Sequence, residues 1–172
     1  MLKKLPLLFF LFFTCCTPGE SQPRNTVITG TAVKIIDGDT FDLLTDDHRQ
    51  IRVRMFGIDC PERGQAYYKV CRNALGDLCY GQRLKIIKRD QDRYKRTVAD
   101  VYNVTTNQWI NEAMVANGFA WHFTHYDKNV TLDEAEQNAR KYRKGLWQDP
   151  SPVAPWEWRK EKRLQQHARS GF

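Results

Sequence analysis

The chain has 172 residues, of which 41% are hydrophobic, and a formal net charge of +7 at pH 7. This length allows one domain with a substantial core and excludes two domains of comfortable size. The positive charge favours a polyanionic partner, because basic residues release counterions from phosphates. A modestly basic surface is also common in proteins that bind nothing anionic. Composition therefore predicts a single domain and leaves its function open.

The N-terminus has the pattern of an export signal. Lys3 and Lys4 precede an almost unbroken apolar run at residues 5–13, and small or turn-forming residues follow at 14–19. This order is typical of a secretory signal, which we place at residues 1–16, with a polar tether at 17–25. The apolar run is about half the roughly 20 residues of a membrane-spanning helix, which argues against a permanent transmembrane anchor.

Cys15 and Cys16 lie where a bacterial lipoprotein carries its acylated cysteine. Residues 12–14 lack the small side chain that usually stands just before such a cysteine, so simple cleavage and lipidation both remain open. The protein is therefore expected to be secreted, periplasmic or lipid-anchored outside a membrane. Removal of the signal with Lys3 and Lys4 would lower the formal net charge from +7 to +5. We also expect the protein to be a monomer.

Three further cysteines follow the signal: Cys60, Cys71 and Cys79. If Cys71 and Cys79 share one straight helix, they are about 12 Å apart, beyond the ~7 Å that a disulfide tolerates. Their spacing is not a zinc pattern such as paired CxxC. Packing and a single disulfide both remain possible roles for these thiols.

The first half of the chain alternates like β-strands. Residues 26–36 and 40–44 are rich in Thr, Val, Ile and Leu and are separated by a tight turn at 37–39. A third strand at 51–56 places Arg52 and Arg54 on the face opposite its aliphatic residues. Two more strands are predicted at 83–88 and 97–102.

A helix is predicted after the third strand, because apolar residues recur there at intervals of three and four. These residues are Tyr67, Val70, Ala74, Leu75 and Leu78, and the helix should end before Gly81. Asn111 is a candidate N-cap for a short second helix, which Asn117 and Gly118 should end.

The last predicted helix begins with a capping box formed by Thr131 and Glu134. Its buried face should carry Ala135, Ala139 and Tyr142, and Gly145 should end it, with Leu146 folding back onto it. Residues 150–155 are rich in proline and cannot continue a helix, whereas Trp156 and Trp158 should pack this segment onto the barrel. Residues 160–172 are expected to form a basic, polar tail after a domain at 26–159.

Three strands, a helix and two strands are the topology of a five-stranded oligonucleotide-binding (OB) barrel. The predicted fold class is thus α+β and mainly β, with a helix between strands 3 and 4 and two C-terminal helices. Topology alone would allow binding without catalysis.

Carboxylates at two strand ends predict a cation site. Asp39 lies in the turn at 37–39, and Asp59 lies beyond the third strand, so a barrel would bring the two together. Calcium accepts six to eight oxygens with loose geometry, and two aspartates with substrate oxygens could hold it. The alternative is an ordinary turn with solvated acids.

Two arginines and one glutamate could act on a phosphodiester. A guanidinium fork suits a phosphate whose charge grows in the transition state, and Arg54 and Arg96 each stand near a strand end. Glu62 could orient or deprotonate the attacking water. Taken singly, each arginine is more often a surface partner of an acid, and Glu62 could be an ordinary glutamate at a helix start.

Four motifs together resemble the staphylococcal nuclease (thermonuclease) family, over residues 26–158. They are VKIIDGDT (33–40), RMFGIDCPE (54–62), DRYKR (92–96) and NEAMVANGFAW (111–121). The ending KGLWQDPSPVAPWEWR (144–159) resembles that of exported bacterial members. Each motif is a moderate signal, and the series is a strong one.

The resemblance implies a calcium-dependent endonuclease that cleaves DNA and RNA, preferably single-stranded, and leaves 3′-phosphate ends. It implies that Asp39, Asp59 and the backbone carbonyl of Cys60 bind calcium. It also implies that Arg54 and Arg96 hold the phosphate and that Glu62 acts on water. By the same analogy, Tyr94 could reach a phosphate and Tyr126 could stack on a base, although packing is the commoner role of such aromatics.

Two positions depart from the family pattern. Cys60 replaces a usual Thr or Ala, and Lys95 replaces a Gly before Arg96. If position 95 requires a positive φ, a non-glycine residue there costs on the order of 1 kcal/mol and could re-aim Arg96.

The sequence also allows two alternatives to this interpretation, one for the histidines and one for the function of the barrel. His122 and His125 follow no clear metal pattern, and a structural or surface role is expected for them. A non-catalytic OB barrel that only binds nucleic acid, or serves as an interaction module, is the rival function. Such a module would be free to lose the acids and arginines, which are all present here.

Overall fold

The computed structural model describes the backbone of residues 26–170 and the side chains through residue 168. The predicted export signal, tether and lipidation sites at residues 1–25 lie outside the described residues. Among the helices of the described part, none is long and apolar enough to cross a membrane.

Seven strands and four helices make up the described chain. Their order is β1 (Val27–Asp37), β2 (Thr40–Thr45), β3 (Gln50–Met55), β4 (Ile58–Asp59), α1 (Tyr68–Cys79), β5 (Arg83–Gln91), β6 (Thr97–Asn103), α2 (Ile110–Ala116), β7 (Trp121–His122), α3 (Val130–Lys141) and α4 (Pro155–Ser170), with a 3-10 turn at Gly145–Gln148.

Five of the strands form a closed barrel in the order β1, β2, β3, β6, β5. All neighbours are antiparallel except β3 and β6, which run parallel. Alternate side chains point inward and fill the barrel, among them Phe41, Leu43, Val53, Met55, Leu84 and Ile86. Burying a side chain of this size contributes roughly 1.5–3 kcal/mol. The predicted OB barrel is confirmed, with α1 between its third and fourth strands.

Helix α1 packs on the barrel through a face shifted from the predicted one. Cys71, Leu75 and Cys79 are buried at intervals of four, whereas Val70 is exposed and Tyr67 precedes the helix. The helix ends before Gly81, as predicted. The two cysteines thus share one helix, and together with Cys60 they are free, buried thiols that serve packing.

Asn111 does not cap helix α2, contrary to the prediction. The N-cap is Trp109, and Asn111 lies inside the helix with its side chain fully buried. Its Oδ1 accepts a hydrogen bond from the backbone N–H of Val101 at 2.9 Å, and its Nδ2 donates to the carbonyl of Phe56 at 2.8 Å. Because a buried amide must find partners, this asparagine fastens α2 to the barrel wall instead of starting the helix.

The start of α3 lies two residues before the predicted cap. Asn129 is the N-cap, and its side chain accepts from the backbone N–H groups of Thr131 and Leu132. Asparagine caps at least as well as threonine, and it comes first in the chain. Ala135 and Ala139 are buried as predicted, but Tyr142 lies beyond the last helical residue and is exposed.

The C-terminal segment, predicted as a basic, polar tail at residues 160–172, is helical through Ser170, and its side chains at 160–168 are exposed. Helix α4 begins at Pro155, which suits a first helical position because its fixed φ is helical and its missing N–H is not needed there. The proposed domain boundary after residue 159 falls inside this helix. Trp156 anchors its first turn by stacking on Phe123 at 5.0 Å and meeting Trp121 edge-on at 5.6 Å.

Candidate active site

Asp39 lies in the tight turn between β1 and β2, where the structure keeps its carboxylate almost fully buried. Its Oδ2 accepts a hydrogen bond from the backbone N–H of Cys60 at 3.0 Å, and its Oδ1 accepts one from the Thr40 hydroxyl at 2.9 Å. Gly38 makes this approach possible, because a Cβ there would lie 2.8 Å from the Cβ of Cys60. The turn therefore fixes one carboxylate against the segment that carries the next.

Asp59 is held by a second small sheet outside the barrel. In this sheet, β4 pairs antiparallel with β7, so that Asp59 faces Trp121. Helix α3 secures β7 from behind, since the buried Glu136 accepts a hydrogen bond from the backbone N–H of His122 at 2.9 Å. Asp59 is 1% exposed, which places a second acid in a poorly solvated position.

The guanidinium group of Arg54 joins the two aspartates. Its Nη2 lies 3.2 Å from Asp39 Oδ2 and 3.0 Å from Asp59 Oδ1. Burial lowers the pKa of Arg54, but the charges of Asp39 and Asp59 more than offset that effect and raise it above its ordinary value. Arg54 thus lies on the face of β3 opposite Val53, as predicted, and meets the acids instead of the apolar core.

Arg159 on helix α4 is a fourth charged group of this centre, and sequence reasoning missed it. Its Nη2 lies 2.7 Å from Asp59 Oδ2, and its Nη1 lies 2.6 Å from Glu62 Oε1. The contact joins residues about a hundred positions apart, so no local pattern could reveal it. The helix itself had a signal, because Pro155 and Glu157 suit the first turn of a helix.

The acids outnumber the cations in this centre. Asp37 lies beside Asp39 and Glu62, and burial together with these two negative charges raises the pKa of Asp37 to about 6. Burial also raises the pKa of Asp59, an effect that hydrogen bonding from Arg159 and the charge of Arg54 offset only in part. Like charges held together in a buried place favour a bound cation.

The donor set of this centre fits a hard divalent cation such as calcium. Carboxylate and carbonyl oxygens are the ligands that calcium prefers, and Asp39 and Asp59 supply carboxylate oxygens in one place, where both contact Arg54. Within residues 26–170, no group of three or more His, Cys, Asp or Glu side chains is arranged to hold a metal ion. A cation here would therefore complete its coordination with water or substrate oxygens.

Arg96 and Tyr94 lie apart from the acids, in the turn between β5 and β6. Arg96 Nε donates to Asp92 Oδ2 at 2.7 Å, and its guanidinium lies 5.5 Å from the centre of the Tyr94 ring. Among the described residues, no hydrogen bond or ion pair joins Arg96 to Asp39 or Asp59. Lys95 has a φ of 63°, so this position does require the left-handed conformation in which glycine is favoured.

Tyr126 and the two histidines lie near the start of α4. Tyr126 is exposed, and its ring meets Phe123 at 4.9 Å and His125 at 4.8 Å. His122 is buried behind Asp59, with its Nε2 3.4 Å from Asp127 Oδ2. In the described part of the chain, no hydrogen bond or ion pair joins either histidine to Asp39 or Asp59.

A basic groove opens beside this centre, between β1 and α1, with a volume of about 530 Å³. Its charged lining is entirely positive and consists of Lys34, Arg63, Lys69 and Arg72. Arg63 follows Glu62 directly in the chain, so the groove begins at the acidic centre. Its charge complements a polyanion.

Known proteins resemble this chain closely. Residues 52–149 match a protein family described as staphylococcal nuclease homologue. The "Uncharacterized endonuclease" of Haemophilus influenzae is 35% identical over 95% of this chain and 86% of its own length. The "Micrococcal nuclease" of Shigella flexneri is 39% identical over 81% of this chain and 85% of its own. The "Staphylococcal-like nuclease CAN1" of Arabidopsis thaliana is 40% identical over 84% of this chain and 43% of its own. The barrel, the motifs and these relatives together identify the chain as a member of the staphylococcal nuclease family.

Proposed function

We propose that this chain is a calcium-dependent endonuclease that hydrolyses phosphodiester bonds of DNA and RNA and leaves 3′-phosphate ends. The observation that carries the proposal is the convergence of Asp39 and Asp59 on the single guanidinium of Arg54, at 3.2 and 3.0 Å. Such a centre combines oxygen ligands for a cation with a donor for phosphate oxygens. The relatives named as nucleases support the same reaction class.

Asp39, Asp59 and the Cys60 carbonyl would hold the calcium ion. When bound, calcium would polarise the phosphate and neutralise part of its growing negative charge. Arg54 would donate to the same phosphate: the carbonyls of Met55 and Ile58 fix its Nη1 at 2.8 and 2.9 Å, Nη2 serves the two aspartates, and its Nε–H would face the phosphate oxygen. A guanidinium held in this way is preorganised for the transition state.

Glu62 would accept a proton from the attacking water. The water oxygen forms the new bond to phosphorus, and the bond between phosphorus and the 5′ oxygen breaks. The 5′ oxygen leaves and takes up a proton, while the phosphate stays on the 3′ side. Glu62 is only partly buried, at 34% side-chain exposure, which leaves room for the water beside it.

Arg96 is proposed as a second phosphate-binding guanidinium, and it would have to turn away from Asp92 to serve. The neighbouring strand supports this role, because Thr97, the residue after Arg96, pairs with Val53, the residue before Arg54. Tyr94 and Tyr126 are proposed to contact a phosphate and to stack on a base. Both rings are about two-thirds exposed, and a stacking ring must be accessible.

The substrate is proposed to be a nucleic-acid strand, preferably unpaired, whose phosphates follow the basic groove. Accessible tyrosine rings favour unpaired bases, because the bases of a duplex are already stacked on one another. We also propose export, supported by the signal pattern at residues 1–16, with a lipid anchor at Cys15 or Cys16 as the variant form. The functional unit is proposed to be a monomer.

Digestion of nucleic acid by the purified protein tests the proposal. We expect plasmid DNA and RNA to be degraded with calcium and to stay intact with a chelator. Polynucleotide kinase should then label the new 5′ ends without prior phosphatase treatment, because cleavage leaves 5′ hydroxyls. Asp39→Asn should abolish digestion, whereas Asp133→Asn on exposed α3 makes the same charge change and should leave it intact. Intact DNA and RNA in the presence of calcium would leave only the non-catalytic binding module.

A further inference from the structure

Arg159 occupies the acidic centre from a helix that is otherwise mostly exposed. Helix α4 is anchored by its first turn, where Trp156 packs on Phe123 and Trp121, and where Ala154 just before it is buried. One turn later the guanidinium of Arg159 reaches into the site. The side chains of residues 160–168 are exposed, so most of the surface of this helix faces solvent.

The contacts of Arg159 use the oxygens that a metal ion and a water molecule would need. Asp59 Oδ2 is 2.7 Å from Arg159 Nη2, while Asp59 Oδ1 is shared between Arg54 and Arg159 at 3.0 and 3.3 Å. Glu62 Oε1 is 2.6 Å from Arg159 Nη1. Both oxygens of the proposed metal ligand, and one oxygen of the proposed base, are thus bound by guanidinium groups.

We propose that Arg159 is the resident cation of the active site and exchanges with the divalent ion on Asp59. The proposal rests on the proposed function for the identity of that ion. An ion bound to Asp59 would stand within a few ångströms of the guanidinium, and two positive charges at that distance repel strongly in a poorly solvated site. Arg159 therefore releases Asp59 and Glu62 when the ion binds.

Of the two arginines, Arg159 is the one free to move. Its side chain is 35% exposed, whereas that of Arg54 is 15% exposed. Arg54 also donates to the two backbone carbonyls of Met55 and Ile58, but the hydrogen bonds of Arg159 all go to Asp59 and Glu62. Once a metal ion neutralises Asp59 and Glu62, these acids no longer attract the guanidinium of Arg159.

Calcium titration of the full chain by isothermal calorimetry tests this exchange. Arg159→Gln removes the competing charge, and we expect the calcium affinity to rise about tenfold. Arg159→Lys keeps the charge but loses the two-pronged contact, so its affinity should lie between the two. Lys160→Gln changes the net charge equally from the neighbouring exposed position, and we expect a change of less than about twofold. An Arg159→Gln affinity equal to or below that of the wild type would overturn the proposal.

Hydrogen exchange of the wild-type protein provides a second measurement that needs no variant to fold. Calcium should accelerate amide exchange over residues 155–168, because the helix loses its contact with the acids, while exchange in β3 stays unchanged. Unchanged exchange in α4 at saturating calcium would refute the exchange. A protein that digests nucleic acid but shows neither effect would keep the proposed function and lose only this inference. If calcium binds neither to the wild type nor to Arg159→Gln, the exchange is refuted, and the digestion assay decides separately on the nuclease.

Discussion

The guanidinium of Arg54 binds the Asp59 side chain, with Nη2 3.0 Å from Oδ1, and it also binds the backbone that precedes Asp59. The second nitrogen of the same guanidinium, Nη1, donates to the carbonyl of Ile58, the residue just before Asp59. One side chain therefore sets both the position of the acid and the course of the turn between β3 and β4.

Replacing Arg54 by lysine should impair cleavage much more than folding. Lysine keeps the charge but has three N–H donors on one nitrogen and cannot bind two carboxylates and two carbonyls at once, so the phosphate donor would be misplaced. We expect Arg54→Lys to lower kcat by about 10²- to 10³-fold, as for the loss of one oxyanion donor. The readout is cleavage of a single-stranded oligonucleotide at saturating calcium.

Arg52→Lys is the matched control, because Arg52 on the same strand forms a similar two-pronged contact with Asp42 at 2.8 and 3.2 Å. It should leave kcat within about twofold of the wild type, since lysine keeps the positive charge beside the buried Asp42 and Arg52 does not contact Asp39, Asp59 or Glu62 in the described part of the chain. Equal losses in both variants would assign Arg54 a purely structural role.

Glu62→Gln should separate binding from chemistry. The amide cannot accept a proton from water, and general base catalysis typically contributes 10²–10⁴-fold, so cleavage should slow by about that factor. The calcium-dependent affinity for an oligonucleotide, measured by fluorescence anisotropy, should remain. Glu134→Gln on exposed α3 serves as the control. Undiminished turnover would remove Glu62 from the mechanism.

The basic groove should contribute to the salt dependence of substrate binding. Each phosphate contact releases counterions, and its loss lowers the slope of log affinity against log salt by about 1. We expect that reduction for Lys69→Gln, which lies in the groove, measured in the slowly cleaving Glu62→Gln background. Lys141→Gln on α3 makes the same change at an exposed position outside the groove lining and should keep the original slope. Identical slopes for the Lys69 and Lys141 variants would show that the nucleic acid binds outside the basic groove.

Asn111→Ala should destabilise the fold because it leaves the backbone groups of Val101 and Phe56 buried without partners. Each unpaired buried group costs roughly 1–3 kcal/mol, so we expect a loss of at least about 2 kcal/mol in the free energy of unfolding. Urea denaturation measures it. Asn138→Ala, on the exposed face of α3, should change stability by less than about 0.5 kcal/mol. A similar small effect at Asn111 would contradict the structure.

Asp37 should make the metal-free protein less stable as the pH rises. Its folded pKa of about 6 lies above the ordinary value of 3.8, so the folded state binds the proton more tightly than the unfolded state. Stability from this group is complete below about pH 4 and is lost between about pH 4 and pH 6. The cause is burial beside the negative charges of Asp39 and Glu62, which Arg54 offsets only in part.

Asp37→Asn removes this titration and should therefore raise Tm above about pH 6, with no difference from the wild type below about pH 4. Thermal denaturation in chelator at both ends of this range is the measurement. Asp77→Asn, on the side of α1 away from its buried face, is the control and should leave the pH profile unchanged. An Asp37→Asn variant that is no more stable than the wild type above about pH 6 would show that folding does not raise the pKa of Asp37.

The convergence of Asp39, Arg54 and Asp59 could be predicted because local rules fix each residue. A turn that contains Gly38 places Asp39 at one end of the barrel. The alternation of side chains along β3 places Arg54 on the face opposite the apolar core. Asp59 follows the same strand within five residues, so its distance from Arg54 is limited by the chain itself. Closure of the predicted barrel is then sufficient to bring these three residues together.

Features that depend on distant contacts could not be predicted in this way. Asn111 has the chemistry of a cap, yet the barrel wall offered it better hydrogen bonds than the helix start did. Asn129 displaced Thr131 because either residue can cap, and propensity does not choose between neighbours. Arg159 belongs to a basic run that resembles a solvated tail, and only the aromatic anchor at Trp156 turns it toward the acids.

The pairing of Asp59 with Trp121 makes the order of synthesis matter. All barrel strands have been made once the chain reaches Asn103, but the partner strand of Asp59 comes 18 residues later, and its support from α3 later still. A chain that ends between these points would possess every barrel strand and all the acids of the centre, but it would lack β7 and α3, which hold Asp59 in place. Such a fragment would form the barrel without the sheet that orients Asp59, so the proposed cleavage would require the complete chain.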